Sequence, residues 1–126
     1  MKNCALSLVI GLMMIAGMSS CFHDRHDISI SVSDDEDEYE MDADYRRNQS
    51  HAVQVYLNNH LLSNSGVSIR NGFVDDEIIL DDKTTFYINS NPGELSIRID
   101  KTENSEEQCE RIRQACEDLK EILENH

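Results

Sequence analysis

The chain has 126 residues and carries 25 Asp and Glu against 11 Lys and Arg, which gives a formal net charge of −14 at pH 7. This length favours one small domain with a modest core. Because nucleic-acid binding depends on clustered Lys and Arg that neutralise phosphates, so acidic a chain is not expected to bind DNA or RNA.

The first 20 residues have the three parts of an export signal. Lys2 supplies a positive charge near the start, residues 5–17 form an apolar run, and the small residues Ser19 and Ser20 follow it. The run is shorter than the roughly 20 apolar residues that span a membrane, and its length is typical of the core of a signal peptide. Residues 1–20 are therefore predicted to be a signal peptide that is removed.

The end of this leader, Met18-Ser19-Ser20-Cys21, resembles the lipobox of bacterial lipoproteins. The resemblance covers about the first 21 residues, and Met18 stands where the family most often has Leu. It implies cleavage before Cys21, which then carries diacylglycerol on its sulfur and usually an acyl chain such as palmitate on its nitrogen. Phe22 stands where an Asp favours retention at the inner membrane in some bacteria, so the outer membrane is favoured. The alternative is an ordinary secretory signal that leaves Cys21 as a free thiol.

Residues 21–27 are predicted to be the lipidated cysteine and a short polar tether, and residues 28–126 a single small domain. Apolar and polar side chains alternate over residues 28–33 and again over 39–45, as they do in half-buried strands. Separated by a polar stretch, the two runs predict an antiparallel hairpin. Apolar residues then recur at helical spacing and predict a helix over 49–62, with His60 half-buried on its apolar stripe.

The second half of the chain predicts three more strands and a final helix. The strands are expected at 77–82, 84–90 and 94–100, with Pro92-Gly93 as a type II turn and residues 67–70 as a possible additional short strand. The order β-β-α-β-β-β-α predicts an α+β fold, in which an antiparallel sheet of four to five strands has two helices packed on one face. This layout resembles that of small envelope lipoproteins of uncharacterised function, which implies no particular activity.

The final helix carries two cysteines on its apolar face. Ser105 and Gln108 match a capping box, which predicts where the helix begins. Cys109 and Cys116 are seven residues apart. That separation is about 10 Å along a helix, whereas a disulfide requires Cα atoms within about 7 Å. Both cysteines are therefore predicted to be core residues with free thiols.

Positions 34–44 hold eight carboxylates and no basic residue. If the apolar residues from Tyr39 to Tyr45 face the core, the residues between them form an outward stripe of negative charge, spaced about 6.6–7 Å apart. Like charges this close repel, which suggests compensation by a cation or a basic partner. The stripe consists of the candidate partner-binding residues Glu38, Glu40, Asp42 and Asp44.

The stripe has three interpretations. It docks a cationic protein, with charge steering the encounter; it binds calcium, which favours several oxygen ligands; or it is a solvated charge run that keeps an edge strand from aggregating. The glycine and the spacing of an EF-hand loop are missing around Asp35 and Asp37, so the calcium interpretation lacks its usual motif.

The sequence predicts no catalytic residue, cofactor or resident metal. No serine lies in a G-x-S-x-G turn, and His23 and His26 offer only two imidazoles beside the anchor. The expected function is that of a non-enzymatic envelope lipoprotein, held in the membrane through Cys21, that serves as a binding or structural module through its acidic hairpin. The alternatives are an inhibitor or immunity-type protein against a basic wall-degrading enzyme, and a calcium-dependent envelope protein.

Overall fold

The computed structural model describes residues 28–69 and 73–125. The predicted signal peptide, Cys21 and the tether lie outside the described residues. Within those two ranges, no helix is both long and apolar enough to cross a membrane.

Within the described residues, five strands and two helices form the α+β fold that the sequence predicts. The elements in chain order are β1 (Ser29–Asp34), β2 (Glu38–Asp44), α1 (Ser50–Tyr56), β3 (Val74–Ile79), β4 (Thr85–Asn91), β5 (Glu94–Asp100) and α2 (Glu106–Glu124). These strands form one antiparallel sheet, in which the spatial order is β1-β2-β5-β4-β3. Strands β2 and β5 are therefore neighbours, although α1, β3 and β4 lie between them in the sequence.

The core lies between the helices and one face of the sheet. Met41, Ile88 and Ile97 on the three inner strands are fully buried, and their neighbours along each strand point to the opposite, open face. The apolar face of α2 packs into the same core, as its spacing predicts. Its buried residues are Cys109, Ile112, Ala115, Cys116, Leu119 and Leu123.

The first helix ends in a wider turn than the sequence predicts. After α1 the chain continues as a π-helical turn, Leu57–Leu61, and the amide of Leu62 donates to the carbonyl of Leu57 at 2.7 Å. Because each residue of a π turn advances less around the axis than in an α-helix, the apolar stripe shifts. His60 is exposed and only stacks on Tyr56, with ring centroids 4.6 Å apart, so the expectation of a half-buried His60 is wrong.

The chain after this helix also departs from the prediction. Residues 67–69 do not form the possible short strand, because the side chain of Asn58 binds both the amide of Ile69 at 2.8 Å and its carbonyl at 3.1 Å. The next strand begins at Val74, three residues before the predicted position, and ends at Ile79.

Two local signals of the sequence are present in the structure. Gly93 has a φ of 91°, the positive value that the third position of a type II turn requires, and a Cβ there would lie 3.2 Å from the carbonyl oxygen of Tyr45. The capping box of α2 is complete, since the amide of Gln108 donates to the Ser105 hydroxyl at 3.1 Å and the Gln108 side chain accepts from the Ser105 amide at 2.8 Å.

Candidate functional site

The predicted acidic stripe lies on the open face of the sheet. Tyr39, Met41 and Ala43 are at most 3% exposed, and the acidic residues that alternate with them on β2 point away from the core. Glu38 and Glu40 are partly exposed, while Asp42 and Asp44 are exposed. A strand period of two residues produces this separation.

Two other acids of the run, Asp34 and Asp35, have structural partners. Asp34 lies on the helix side of the sheet, where it pairs with Lys101 and, at 3.1 Å, with Arg113. The hydrogen bond from Lys101 is the main reason why the pKa of Asp34 lies below its ordinary value. Asp35 closes the hairpin, since its Oδ1 accepts from the amides of Asp37 and Glu38 at 2.9 Å each. Of the eight carboxylates that look alike in sequence, two therefore make structural contacts and four lie on the open face.

Two further strands add carboxylates to the open face. Asp44 pairs in register with Glu94 of β5, and Glu38 with Asp100. On β3, two acids alternate with the core-facing residues and lie on the same side of the sheet. We call this surface the acidic face; its carboxylates belong to Glu38, Glu40, Asp42, Asp44, Asp75, Glu77, Glu94 and Asp100. Sequence reasoning missed the last four because only the assembly of the five strands into one sheet places them on the same face as the acids of β2.

Arg98 is the one Lys, Arg or His in the five strands. It pairs in register with Glu40, and its Nε lies 3.4 Å from a carboxylate oxygen of Glu38. Its guanidinium also stacks over Tyr87, 4.7 Å from the ring centroid, and the Tyr87 hydroxyl donates to Asp75. A single cation therefore stands among eight carboxylates and connects the two acidic edges of the face.

The surroundings of Glu40 shift its pKa. Partial burial, and then the negative charge of Asp42, raise the pKa of Glu40 above its ordinary value, although Arg98 opposes the shift. Its neighbour Asp42 accepts a hydrogen bond from Ser96 at 2.7 Å. A bound ammonium or guanidinium group would relieve the repulsion that this arrangement leaves.

Between β2, β5 and β4 the acidic face has an open depression of about 290 Å³. Asp42, Asp44 and Glu94 line it together with the amide side chains of Asn89 and Asn91. These groups provide mostly hydrogen-bond acceptors, which suit the donors of a Lys or Arg side chain.

The described part of the chain contains no group of three or more His, Cys, Asp or Glu arranged to hold a metal ion. The calcium interpretation therefore has no preformed site there.

The thiols of α2 are buried rather than poised for chemistry. Cys109 and Cys116 are free and buried, as predicted. Burial raises the pKa of Cys116 to about 12 and that of Cys109 above its ordinary value. A hollow of about 850 Å³ lies beside the start of α2, with Lys101, Cys109 and Arg113 in its lining. Because a nucleophilic cysteine needs a lowered pKa, this hollow has no activated thiol.

No protein-family model, no curated protein and no solved structure matches the chain. The chemistry of the acidic face is therefore the basis for assigning a function.

Proposed function

We propose that the protein is an exported lipoprotein that is anchored in the cell envelope through Cys21 and binds a cationic protein through its acidic face. The observation that carries this proposal is that the five described strands place eight carboxylates on the open side of one sheet and contain a single cationic residue, Arg98. Clefts and faces of one sign attract oppositely charged partners and accelerate their encounter.

In this proposal the lipid anchor attaches the protein to the membrane and the acidic face binds the partner. Acyl chains hold the chain at the membrane, since each buried methylene contributes about 0.8 kcal/mol. The net charge of −14, which becomes one unit more negative when Lys2 leaves with the signal peptide, is repelled by anionic headgroups, so the domain is held near the membrane without lying on it. Phe22 after Cys21 favours the outer membrane. A cationic protein in the same compartment then meets the face within a confined volume.

A matched pair of variants tests the acidic face. In the first, Glu38→Gln, Glu40→Gln, Asp42→Asn and Asp44→Asn remove the four charges of β2. In the control, four exposed acids away from the sheet, at Glu103, Glu117, Glu121 and Glu124, are changed to Gln, so that the net charge changes equally. Both variants and the unaltered full chain, in non-ionic detergent, are titrated with poly-lysine by calorimetry at low and high salt.

We expect the β2 variant to bind poly-lysine about 10- to 100-fold more weakly at low salt, because each exposed charge pair contributes about 0.2–1 kcal/mol. The control variant should lose much less, and about 1 M salt should remove most of the difference. Equal losses in the two variants would show that only net charge matters, and would refute a binding face.

Two further measurements address the anchor and the partner. Mass spectrometry of the natural protein should show cleavage before Cys21 and the mass of its acyl groups; an unmodified cysteine would contradict the anchor. Adding the protein to a basic lysozyme-type enzyme tests the inhibitor alternative. Inhibition that the β2 variant loses would identify the cationic partner as a wall-degrading enzyme.

A further inference from the structure

Strand β1 is an edge of the sheet, and its outward backbone groups can be identified. It pairs with β2 on one side, and no strand in the described ranges pairs with its other side. The amide of Asp35 donates to the carbonyl of Glu38 at 2.9 Å, so these two residues form a hydrogen-bonded pair. Hydrogen-bonded and non-hydrogen-bonded pairs alternate along an antiparallel ladder. The amides and carbonyls of Ile30, Val32 and Asp34 therefore point out of the sheet.

This edge lacks the protection that the opposite edge has. Strand β3 carries Asp75, Asp76 and Glu77 in succession, and charges of this kind discourage another strand from pairing. Strand β1 is uncharged until Asp34, whose carboxylate is occupied by Lys101 and Arg113. An unprotected edge is a template for an added strand.

Both surfaces of β1 favour an added strand of alternating character. On the helix side, Ile30 is half-buried and Val32 is 42% exposed, so an apolar side chain beside them would gain burial. On the open side, β1 presents only small serines, among them Ser31 and Ser33, which pair in register with Asp42 and Glu40. Adjacent strands lie about 4.8 Å apart, so a long Lys or Arg side chain on a new strand reaches over the serines toward those carboxylates.

Charge decides which occupant fits this edge. A second copy of the chain would extend the sheet by placing another acidic face beside the first, and each copy has a net charge of −14. We infer that the β1 edge accepts an extended segment of a cationic protein as a sixth strand, with cationic side chains on the acidic face and apolar side chains over Ile30 and Val32. This inference rests on the proposed function and specifies how the partner docks.

Two peptides of equal composition separate strand addition from attraction by charge alone. One consists of four Lys-Val repeats, and the other contains the same residues as two repeats of Lys-Lys-Val-Val, which breaks the two-residue period. Both are titrated by calorimetry into the full chain in non-ionic detergent. We expect the alternating peptide to bind at least about 10-fold more tightly, a difference of about 1.4 kcal/mol.

Proline substitutions locate the edge that is used. Val32→Pro removes an amide that points away from β2, so no hydrogen bond between β1 and β2 is lost. An edge strand tolerates a proline at such a position. Val32→Thr keeps that amide and controls for the side chain. Ile79→Pro is the matched change at the other edge. The Leu80 amide donates to the Thr84 carbonyl, so Leu80 and Thr84 form a hydrogen-bonded pair and the neighbouring Ile79 and Thr85 do not. The amide of Ile79 therefore points away from β4.

We expect Val32→Pro to lower the affinity for the alternating peptide to that for the other peptide, at least about 10-fold. Val32→Thr and Ile79→Pro should bind within about threefold of the unaltered chain, less than 1 kcal/mol. If Val32→Pro does not fold, amide exchange in the unaltered chain provides the test. The alternating peptide should then slow exchange at Ile30, Val32 and Asp34.

The possible failures are distinguishable. If both peptides bind equally well and Val32→Pro changes neither, strand addition is overturned while binding by the acidic face stands. If neither peptide binds at low salt, the proposed function falls together with this inference. Sedimentation that shows self-association, lost in Val32→Pro, would assign the edge to a second copy and would also overturn the inference.

Discussion

Replacing Arg98 with Gln should lower stability while strengthening the binding of a cationic partner. Arg98 is the only cation within the five described strands, and it contacts both Glu38 and the ring of Tyr87. Its loss removes attraction within the folded chain and leaves the carboxylates less compensated. The two effects have opposite signs because the uncompensated carboxylates repel one another, which destabilises the fold, and at the same time attract a positively charged partner.

The contacts of Arg98 set the size of the effect. The side chain is 42% exposed, so its pair with Glu38 contributes about 0.2–1 kcal/mol. Stacking on Tyr87 contributes about 0.5–1 kcal/mol at an exposed site. Together the substitution should cost about 1–2 kcal/mol at low salt, where a loss of 1 kcal/mol lowers the melting temperature of a domain this small by about 4–8 °C.

The assay is thermal unfolding followed by circular dichroism at low salt and at about 1 M salt, where the Debye length is about 3 Å. The matched control is Arg111→Gln, since Arg111 is also 42% exposed and pairs with one acid, Asp82, but lies on α2 away from the acidic face. The control should lose less than about 1 kcal/mol, and salt should remove its loss. If Arg98→Gln and the unaltered chain have the same melting temperature at low salt, Arg98 does not offset the repulsion on the acidic face.

Three other predictions concern the rest of the molecule. Ser105→Ala should lower the free energy of unfolding by about 1 kcal/mol in urea titrations, because the cap of α2 loses its acceptor. Cys116 should resist iodoacetamide in the folded chain and react in urea, since it is buried and burial raises its pKa to about 12; mass mapping of labelled peptides checks this, and rapid labelling without denaturant would contradict it. The pKa values of Asp34, Asp82 and Asp100 lie below the ordinary 3.8, so the stability they provide is complete above that pH and is lost as the pH falls through their lowered values. Melting temperatures measured down to about pH 2 should therefore fall less steeply for Asp34→Asn than for the unaltered chain.

The orientation of the β2 acids was predictable because it depends only on a local rule. Strand side chains alternate with a fixed period of two, so burying Met41 and Ala43 forces Glu40 and Asp42 to the other face. The cap of α2 was predictable for the same reason, since Ser105 and Gln108 are only three residues apart. Both features need no knowledge of how distant segments meet.

The partners of those acids were not predictable from the same reasoning. Glu40 and Arg98 are neighbours only because β5 is placed between β2 and β4, and the sequence patterns do not determine strand order. The start of β3 was missed because Asp75 and Asp76 are poor strand formers that a position at the sheet edge accommodates. The exposure of His60 was missed because one π turn changes which side of the helix the residue faces.

The distribution of charge argues that the sheet, rather than the helices, is the binding side. Helix α2 is also acidic, but each of its three cations lies beside an acid: Arg113 is 2.5 Å from Glu110, Lys120 is 3.9 Å from Glu117, and Arg111 binds Asp82 of the segment between β3 and β4. Within the five described strands, Arg98 is the only cation set against the eight carboxylates of the acidic face. A cationic surface approaching α2 would have to compete with three cations already in place, whereas on the strands it would compete with Arg98 alone. The net charge of the chain leaves both sides equally plausible, and the strand order makes them unequal.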